Sequence, residues 1–311
     1  MTLHVVLGKG PVGRSLTEVL LGQGHQVRVL SRSGGRSRDG VDHVSVDATD
    51  SAALTAAATG ATALYNCANP PYDKWPTLWP PMAEALLTAA ERSGAVLVTM
   101  GNLYVYGPVA GPMHEDLPLA APGTKGQVRA RMWGQALARH RAGAVRVVEA
   151  RASDFVGPGV TDNGHLGGRV VPRVLAGKGV RVMGDPDQPH SWTAVGDVGV
   201  ALARLGTDER AWGRAWHVPT APPVTQREAV AALCRAAGVA PVPVRTLPHA
   251  VLRATGLVVP TVREFAEVRH QFTGPFVLDS SAYTAAFGDA ATPLEQTWKA
   301  TVDWWRGRSA G

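Results

Sequence analysis

Cysteine is nearly missing from this 311-residue chain: Cys67 and Cys234 are its only two, which excludes a disulfide framework and offers no metal-ligand spacing. None of the ten histidines has an i, i+4 partner beside a carboxylate, so no protein-built metal site is expected. Long apolar runs are absent as well. The first, "LHVVLG" from Leu3, is far too short for a signal-peptide core or a membrane span, so a cytoplasmic location without membrane attachment is expected. Lysine is scarce, five of 31 basic residues, and the arginines are dispersed. The net charge of +6 therefore forms no stripe or arm for nucleic acid, and none is expected as a partner. Repeats and low-complexity linkers are lacking too. What remains is ordinary soluble composition, 45% hydrophobic and 18% charged, at a length that suits one large α/β domain plus a smaller lobe.

The hydrophobic pattern alternates between two kinds of segment. "LHVVLG" reads as a buried parallel strand, and Val12, Leu16, Val19 and Leu20 then recur at helical spacing before Gly22 and Gly24. "HQVRVLSR", "HVSVDATD", "ATALYNCA", "AVLVTMG" and "AVRVVEARAS" read as five more strands. Between them lie an alanine-rich helix opened by Asp50, a helix from Pro80 to about Arg92, and another over Lys125–Arg141. This rhythm predicts an α/β fold: a doubly wound, parallel Rossmann sheet over about residues 1–155. Residues 156–311 read as a smaller C-terminal substrate lobe, with some segments returning to the core. Its helices are marked by capping boxes, Thr225 to Glu228 and Thr292 to Glu295, the second with Pro293 at the first helical position.

Gly8-Lys9-Gly10-Pro11-Val12-Gly13 is a G-x-G-x-x-G placed directly between the first strand and the first helix, the context that makes the pattern specific. Gly8 permits the turn, Gly10 the approach of a pyrophosphate, and Gly13 close helix–strand packing, with Pro11 and Val12 opening the helix. An NAD site usually places an acid about 20 residues further on, for the ribose 2′-hydroxyl. Here the second strand ends Ser31-Arg32-Ser33, with Arg36 and Arg38 beyond and no acid before Asp39. A guanidinium suits a 2′-phosphate, so NADP is favoured over NAD; the bland alternative is that Arg32 only stacks on the adenine.

These motifs, together with "VDATD", "LYNCAN", "GNLYVYGP", "EARASDFVGPG" and "GDPDQPHSWTAVGDVGVAL", resemble the short-chain dehydrogenase/reductase superfamily, in its extended, NAD-dependent epimerase/dehydratase-like branch. The resemblance spans residues 3–202. It implies an adenine contact at Asp47 and a cofactor-lining turn at Cys67 and Ala68. It also implies a tyrosine proton donor and a lysine four residues later at the start of the Lys125–Arg141 helix. Those two places hold Lys125 and Arg129, or Thr124 and Val128 if the register shifts by one, and no register gives Tyr-x-x-x-Lys. Asn102 stands where the branch has a serine or threonine. Tyr104 stands where dehydratase relatives carry a catalytic acid, and Tyr106 matches a mostly structural tyrosine.

Three functions are open on this reading. The first is an NADP(H)-dependent oxidoreductase on a small, largely apolar carbonyl or alcohol substrate, with Asn102 polarising the oxygen, Tyr104 or Lys125 as proton donor, and Arg129 holding the ribose. The second is a redox-neutral epimerase or dehydratase. The third is a non-catalytic cofactor sensor or scaffold, and a homodimer is open in each case. "NPPYDKWPTLWP" is expected to be a rigid lid carrying Tyr72, Trp75 and Trp79. Asp154, His165, His190 and Trp192 belong to the same edge, though turn, loop and packing roles account for them more simply.

Overall fold

The computed structural model describes residues 1–162, 164–247 and 267–309. Seven strands form one central parallel sheet: β1 (Leu3–Leu7), β2 (Gln26–Ser31), β3 (Val41–Ser45), β4 (Ala61–Asn66), β5 (Val96–Met100), β6 (Val147–Arg151) and, after four short strands, β11 (Ala215–His217). Their spatial order, β11-β6-β5-β4-β1-β2-β3, reverses between β1 and β4. Of the short strands, β7 (Asp154–Val156) pairs with β10 (Trp192–Ala194), while β8 (Val180–Val182) and β9 (Pro189–His190) belong to the lobe.

Alternation along the strands feeds two cores. Val6 faces one layer with α1 (Pro11–Gly22), while Val5 and Leu7 face the other with α2 (Ser51–Ala58) and α3 (Trp75–Ser93). Both faces are covered, which is why the strands read as continuous apolar runs. Also packed on the sheet are α4 (Thr124–Arg141) and, across α1, α6 (Val195–Thr207), which follows the short α5 (Val171–Leu175). The later half of the chain thus supplies both a strand and a covering helix to the core. A third core gathers α5, β8, α7 (Gln226–Ala237) and the C-terminal helix Leu294–Ser309.

Three local readings need correction. The third strand ends at Ser45 rather than running through Asp47, because the Asp47 carboxylate accepts from the Thr49 amide at 2.9 Å and hydroxyl at 2.8 Å and closes a turn. The third helix begins at Trp75, five residues before Pro80. Trp75 and Trp79 are fully buried one turn apart and anchor these turns to the core, so they are not lid residues, and Pro80 and Pro81 are carried inside the helix. Thr225 and Glu228 do form a capping box, whereas Thr292 turns its amide and hydroxyl to the Asp197 carboxylate on α6.

One internal strand carries charge. Glu149 and Arg151, two apart on β6 and hence on one face, are both buried and pair at 2.6 Å. Arg151 also donates to the Tyr106 hydroxyl at 2.8 Å. His217 Nδ1 faces the Asp279 carbonyl at 2.8 Å and must donate, so its Nε2 accepts from Tyr106 at 2.7 Å. The network ties β6 to β11 and to the chain after β5. Arg151→Met strands the Glu149 charge and is expected to lower the unfolding free energy by about 3 kcal/mol. Urea denaturation would read this as a lower midpoint, with partial recovery when Glu149→Gln is added.

Candidate active site

The loops that follow the strands converge on the C-terminal edge of the sheet, where the strand order reverses. At that point Gly8 has φ +108°, and a Cβ on it would stand 2.8 Å from the Cys67 carbonyl oxygen and 2.9 Å from the Ala68 nitrogen. A Cβ on Gly13 would lie 1.9 Å from the Gly8 carbonyl oxygen. Gly10 is the opposite case: nothing lies within 4 Å of a Cβ there. Gly10 caps α1 with no side-chain hydrogen bond, and Pro11 occupies the first turn. The turn is pinned on two sides by glycine and open on the third, at a helix N-terminus whose amides have no side-chain cap. This shape fits a pyrophosphate. Val12 packs into the core, and burial pushes the Cys67 thiol up to about 12, leaving it protonated beside the turn.

At the end of β2, Arg32 is exposed and Ser31 donates to the Gly34 carbonyl at 3.1 Å. Lys9, inside the glycine motif, donates to the Ser33 hydroxyl at 2.8 Å and the Gly34 carbonyl at 2.9 Å. Two cations therefore border this end of the crevice, and the contribution of Lys9 is not evident from the motif alone. Asp47 lies exposed nearby; hydrogen bonds from Thr49, with a smaller effect of Arg32, hold its carboxyl below the usual range.

The opposite end is aromatic. Asn102 caps the 3-10 turn Leu103–Tyr106, its Oδ1 accepting from the Tyr104 amide at 3.2 Å, which leaves its NH2 group to donate elsewhere. The Tyr104 and Tyr72 hydroxyls meet at 2.7 Å. Burial, then the Tyr72 hydroxyl and the Asp154 charge, keep the Tyr104 phenol well above its ordinary pKa. Lys125 is buried, with Nζ 3.4 Å from the Glu267 carboxylate and 5.9 Å from the Tyr72 ring centre. Arg129 lies between Trp75 and Trp79, 4.8 and 4.2 Å from their centres, and donates to the Met100 carbonyl at 3.2 Å. Burial lowers its pKa to about 10, with Glu149 opposing, so it stays charged at neutral pH, while its Nε finds no partner among the described residues. The helix register thus brings Lys125 and Arg129 to one side of Tyr72 and Tyr104.

Beyond them, Asp154 pairs with His190 at 2.8 Å. His165 is not an exposed loop residue: it is buried against Phe272, with ring centres 4.3 Å apart, and Nε2 meets Gln226 Oε1 at 2.6 Å. Gln226 spends its NH2 on the Met183 and Asp185 carbonyls, so His165 Nε2 carries the proton. Trp192 is fully buried and donates to the Val224 carbonyl at 3.1 Å. The Asp154–His190 pairing is the part the sequence did not signal, since 36 residues separate the two. The charged pair on β6, by contrast, leaves a trace as alternating Glu149 and Arg151 inside an apolar run. Among the described residues no cluster of three or more metal-ligating side chains occurs, and no helix is long and apolar enough to cross a membrane.

The glycine turn, its open helix end and the reversing sheet define the class, a Rossmann protein built to hold a dinucleotide. The sequence model of the NAD dependent epimerase/dehydratase family matches residues 5–217, and the chain belongs to that family. No curated protein matches it in sequence. Among solved structures it is similar to a dTDP-glucose 4,6-dehydratase from Bacillus anthracis in complex with NAD, at 17% identity and TM-score 0.81, covering 100% of this chain and 98% of that one. It is also similar to a UDP-glucose 4-epimerase from Thermus thermophilus in complex with NAD, at 22% identity and TM-score 0.78, covering 98% and 99%. At these identities the likeness is one of fold.

Burial drives His165 from an ordinary 6.5 down to about 4. Its folded-state pKa lies below the unfolded one, so the stability it confers is complete above about pH 6.5 and is lost as pH falls toward about 4. The loss is on the order of 3 kcal/mol. His165→Gln is expected to flatten that part of the stability–pH curve, measured by urea unfolding at successive pH values.

Proposed function

We propose that this family member is an NADP(H)-dependent oxidoreductase that moves a hydride between nicotinamide C4 and a small, largely apolar carbonyl or alcohol carbon. Bound in the cradle, the cofactor supplies or accepts that hydride. Gly8, Gly10, Pro11, Val12 and Gly13 shape the pyrophosphate turn, Cys67 and Ala68 line it, and Asp47 takes the adenine side. Lys9 and Arg32, with Ser31 and Ser33, meet the 2′-phosphate, and Arg129 takes the ribose from its place between the two tryptophans. Asn102 donates its amide hydrogen to the substrate oxygen and Tyr104 exchanges a proton with it; Lys125, paired with Glu267, sets the local charge.

The observation that carries the reading is the Tyr104 hydroxyl, held 2.7 Å from Tyr72 on the turn that Asn102 caps. The apolar substrate class follows from the walls: Tyr72 and Tyr104 stack against Trp75 with ring centres 4.9 and 6.0 Å away. Of the two nearest cations, Lys125 is paired with Glu267 and Arg129 is given to the ribose, which leaves neither for a sugar diphosphate. A redox-neutral reaction is the second reading, favoured by the NAD-bound dehydratase and epimerase to which the fold is similar.

Calorimetric titration is expected to give tighter binding of NADPH than NADH. Lys9→Ala and Arg32→Ala should each cost roughly tenfold for NADPH, the value of a charge-assisted hydrogen bond, with little change for NADH. Equal affinities in the wild type would overturn the preference. NADPH oxidation with a panel of aromatic and aliphatic aldehydes is expected to fall at least about 100-fold in Tyr104→Phe. Tight cofactor retention with no net turnover over that panel would instead favour the redox-neutral reading.

A further inference from the structure

We propose that the core holds a binding site for one water molecule, between the sheet and helices α3 and α4, formed by Asn66, Thr99 and Glu149. Through Asn66 this water secures the turn at Cys67 and Ala68 beside the glycine motif.

Three neighbouring strands each carry one polar residue on the same face. Asn66 on β4 lies beside Thr99 on β5, and Thr99 lies beside Glu149 on β6. Laterally paired residues of a parallel sheet point the same way, so the three form a polar row across the sheet. Two residues earlier on each strand stand Leu64, Leu97 and Val147, all members of the apolar core under α3 and α4. The row is therefore a polar step in an apolar wall.

A cavity of about 20 Å³ lies over this step, with Leu87 of α3 and Met132 and Ala136 of α4 as its roof. A water molecule needs roughly 10–15 Å³ by the same measure, so the space suits one. Asn66 and Glu149 are 1% and 2% exposed. Asn66 Oδ1 accepts from the Ala68 amide at 3.3 Å, which assigns the NH2 group to the other end of the carboxamide. Glu149 Oε1 accepts from Arg151 at 2.6 Å. The Asn66 NH2 group, the Thr99 hydroxyl and Glu149 Oε2 have no partner among the described residues, and all three residues line the cavity.

These groups match one water. It accepts a hydrogen from Asn66, donates one to Glu149 Oε2, and makes its third bond with the Thr99 hydroxyl, about the usual number for a buried water. A dry cavity would leave a buried donor and a carboxylate oxygen unsatisfied, each at a cost in stability. A cation suits the site poorly, because Asn66 presents hydrogens to it and Arg151 already neutralises Glu149. The same water fixes the Asn66 carboxamide from behind. Its other end holds the Ala68 amide in the turn on which Gly8 packs, so the bound water ties that turn to β5 and β6.

A high-resolution crystal structure of the full chain is expected to show water density about 2.7–3.2 Å from Asn66 Nδ2, Thr99 Oγ1 and Glu149 Oε2. Thr99→Val, of nearly the same shape, then gives opposite signs for the two cases. With water bound, the lost hydroxyl lowers the urea midpoint; in a dry cavity, replacing an unpaired hydroxyl by a methyl raises it. The Ala68 amide in Thr99→Val is expected to exchange with solvent about tenfold faster than in the wild type. A wild-type cavity without density overturns the proposal, as does a raised midpoint in Thr99→Val. An Ala68 exchange rate unchanged by the substitution overturns the tie to the turn. Should Thr99→Val fail to fold, the wild-type density decides.

Discussion

A side chain at Gly13 would have its first carbon 1.9 Å from the Gly8 carbonyl, and one at Gly8 would strike the backbone of Cys67. These two contacts set how closely α1, β1 and the end of β4 approach, and the remaining geometry follows from that approach. The sheet reverses its order between β1 and β4, so the crevice for a dinucleotide opens where backbone meets backbone with no side chain between. Gly10 belongs to the same turn but faces open space. One short motif therefore contains two packing constraints and one vacancy, and the vacancy lies at the uncapped end of a helix. Pyrophosphate binding and fold stability share residues here, so a glycine substitution cannot alter one alone.

The charged groups at the sheet edge follow a different rule. Arg129, Lys125, Glu149, Arg151 and His190 are all buried, and each has found a partner suited to burial: indole faces, a carboxylate, a phenol or a carbonyl. Isolated charges in such positions would be neutralised or expelled. In pairs they persist and can act on one another. Glu149 opposes the desolvation of Arg129 while pairing with Arg151, so the stabilising network of β6 and the floor of the site share one carboxylate.

The periodic features of the sequence translated directly into structure. Two-sided burial of the sheet made the strands continuous apolar runs, and the glycine motif fell between the first of them and a helix. Local polar competition was harder to read: Asp47 ends a strand by closing its own turn, and Thr292 gives its amide and hydroxyl to Asp197. The prolines at 80 and 81 suggest a helix start, yet Trp75 and Trp79 contribute enough burial to carry the helix through them. In the site, Lys125 and Arg129 were legible as an i, i+4 pair on one helix. Lys9 with Ser33, and Asp154 with His190, were not, because partners 24 and 36 residues apart are joined only by strand order.

The missing Tyr-x-x-x-Lys pair changes meaning once those partners are placed. A lysine beside a tyrosine lowers the phenol pKa, so a single residue can both hold and release a proton. Here the cation at the first of those places is bound to Glu267, the cation at the second lies between tryptophans, and the phenols are raised. A raised phenol is a poor acid but an adequate conductor, since hydroxyls 2.7 Å apart can pass a proton without either becoming an anion. On this reading, proton handling moves from a tyrosine and lysine on one helix to a phenol pair carried after β4 and β5.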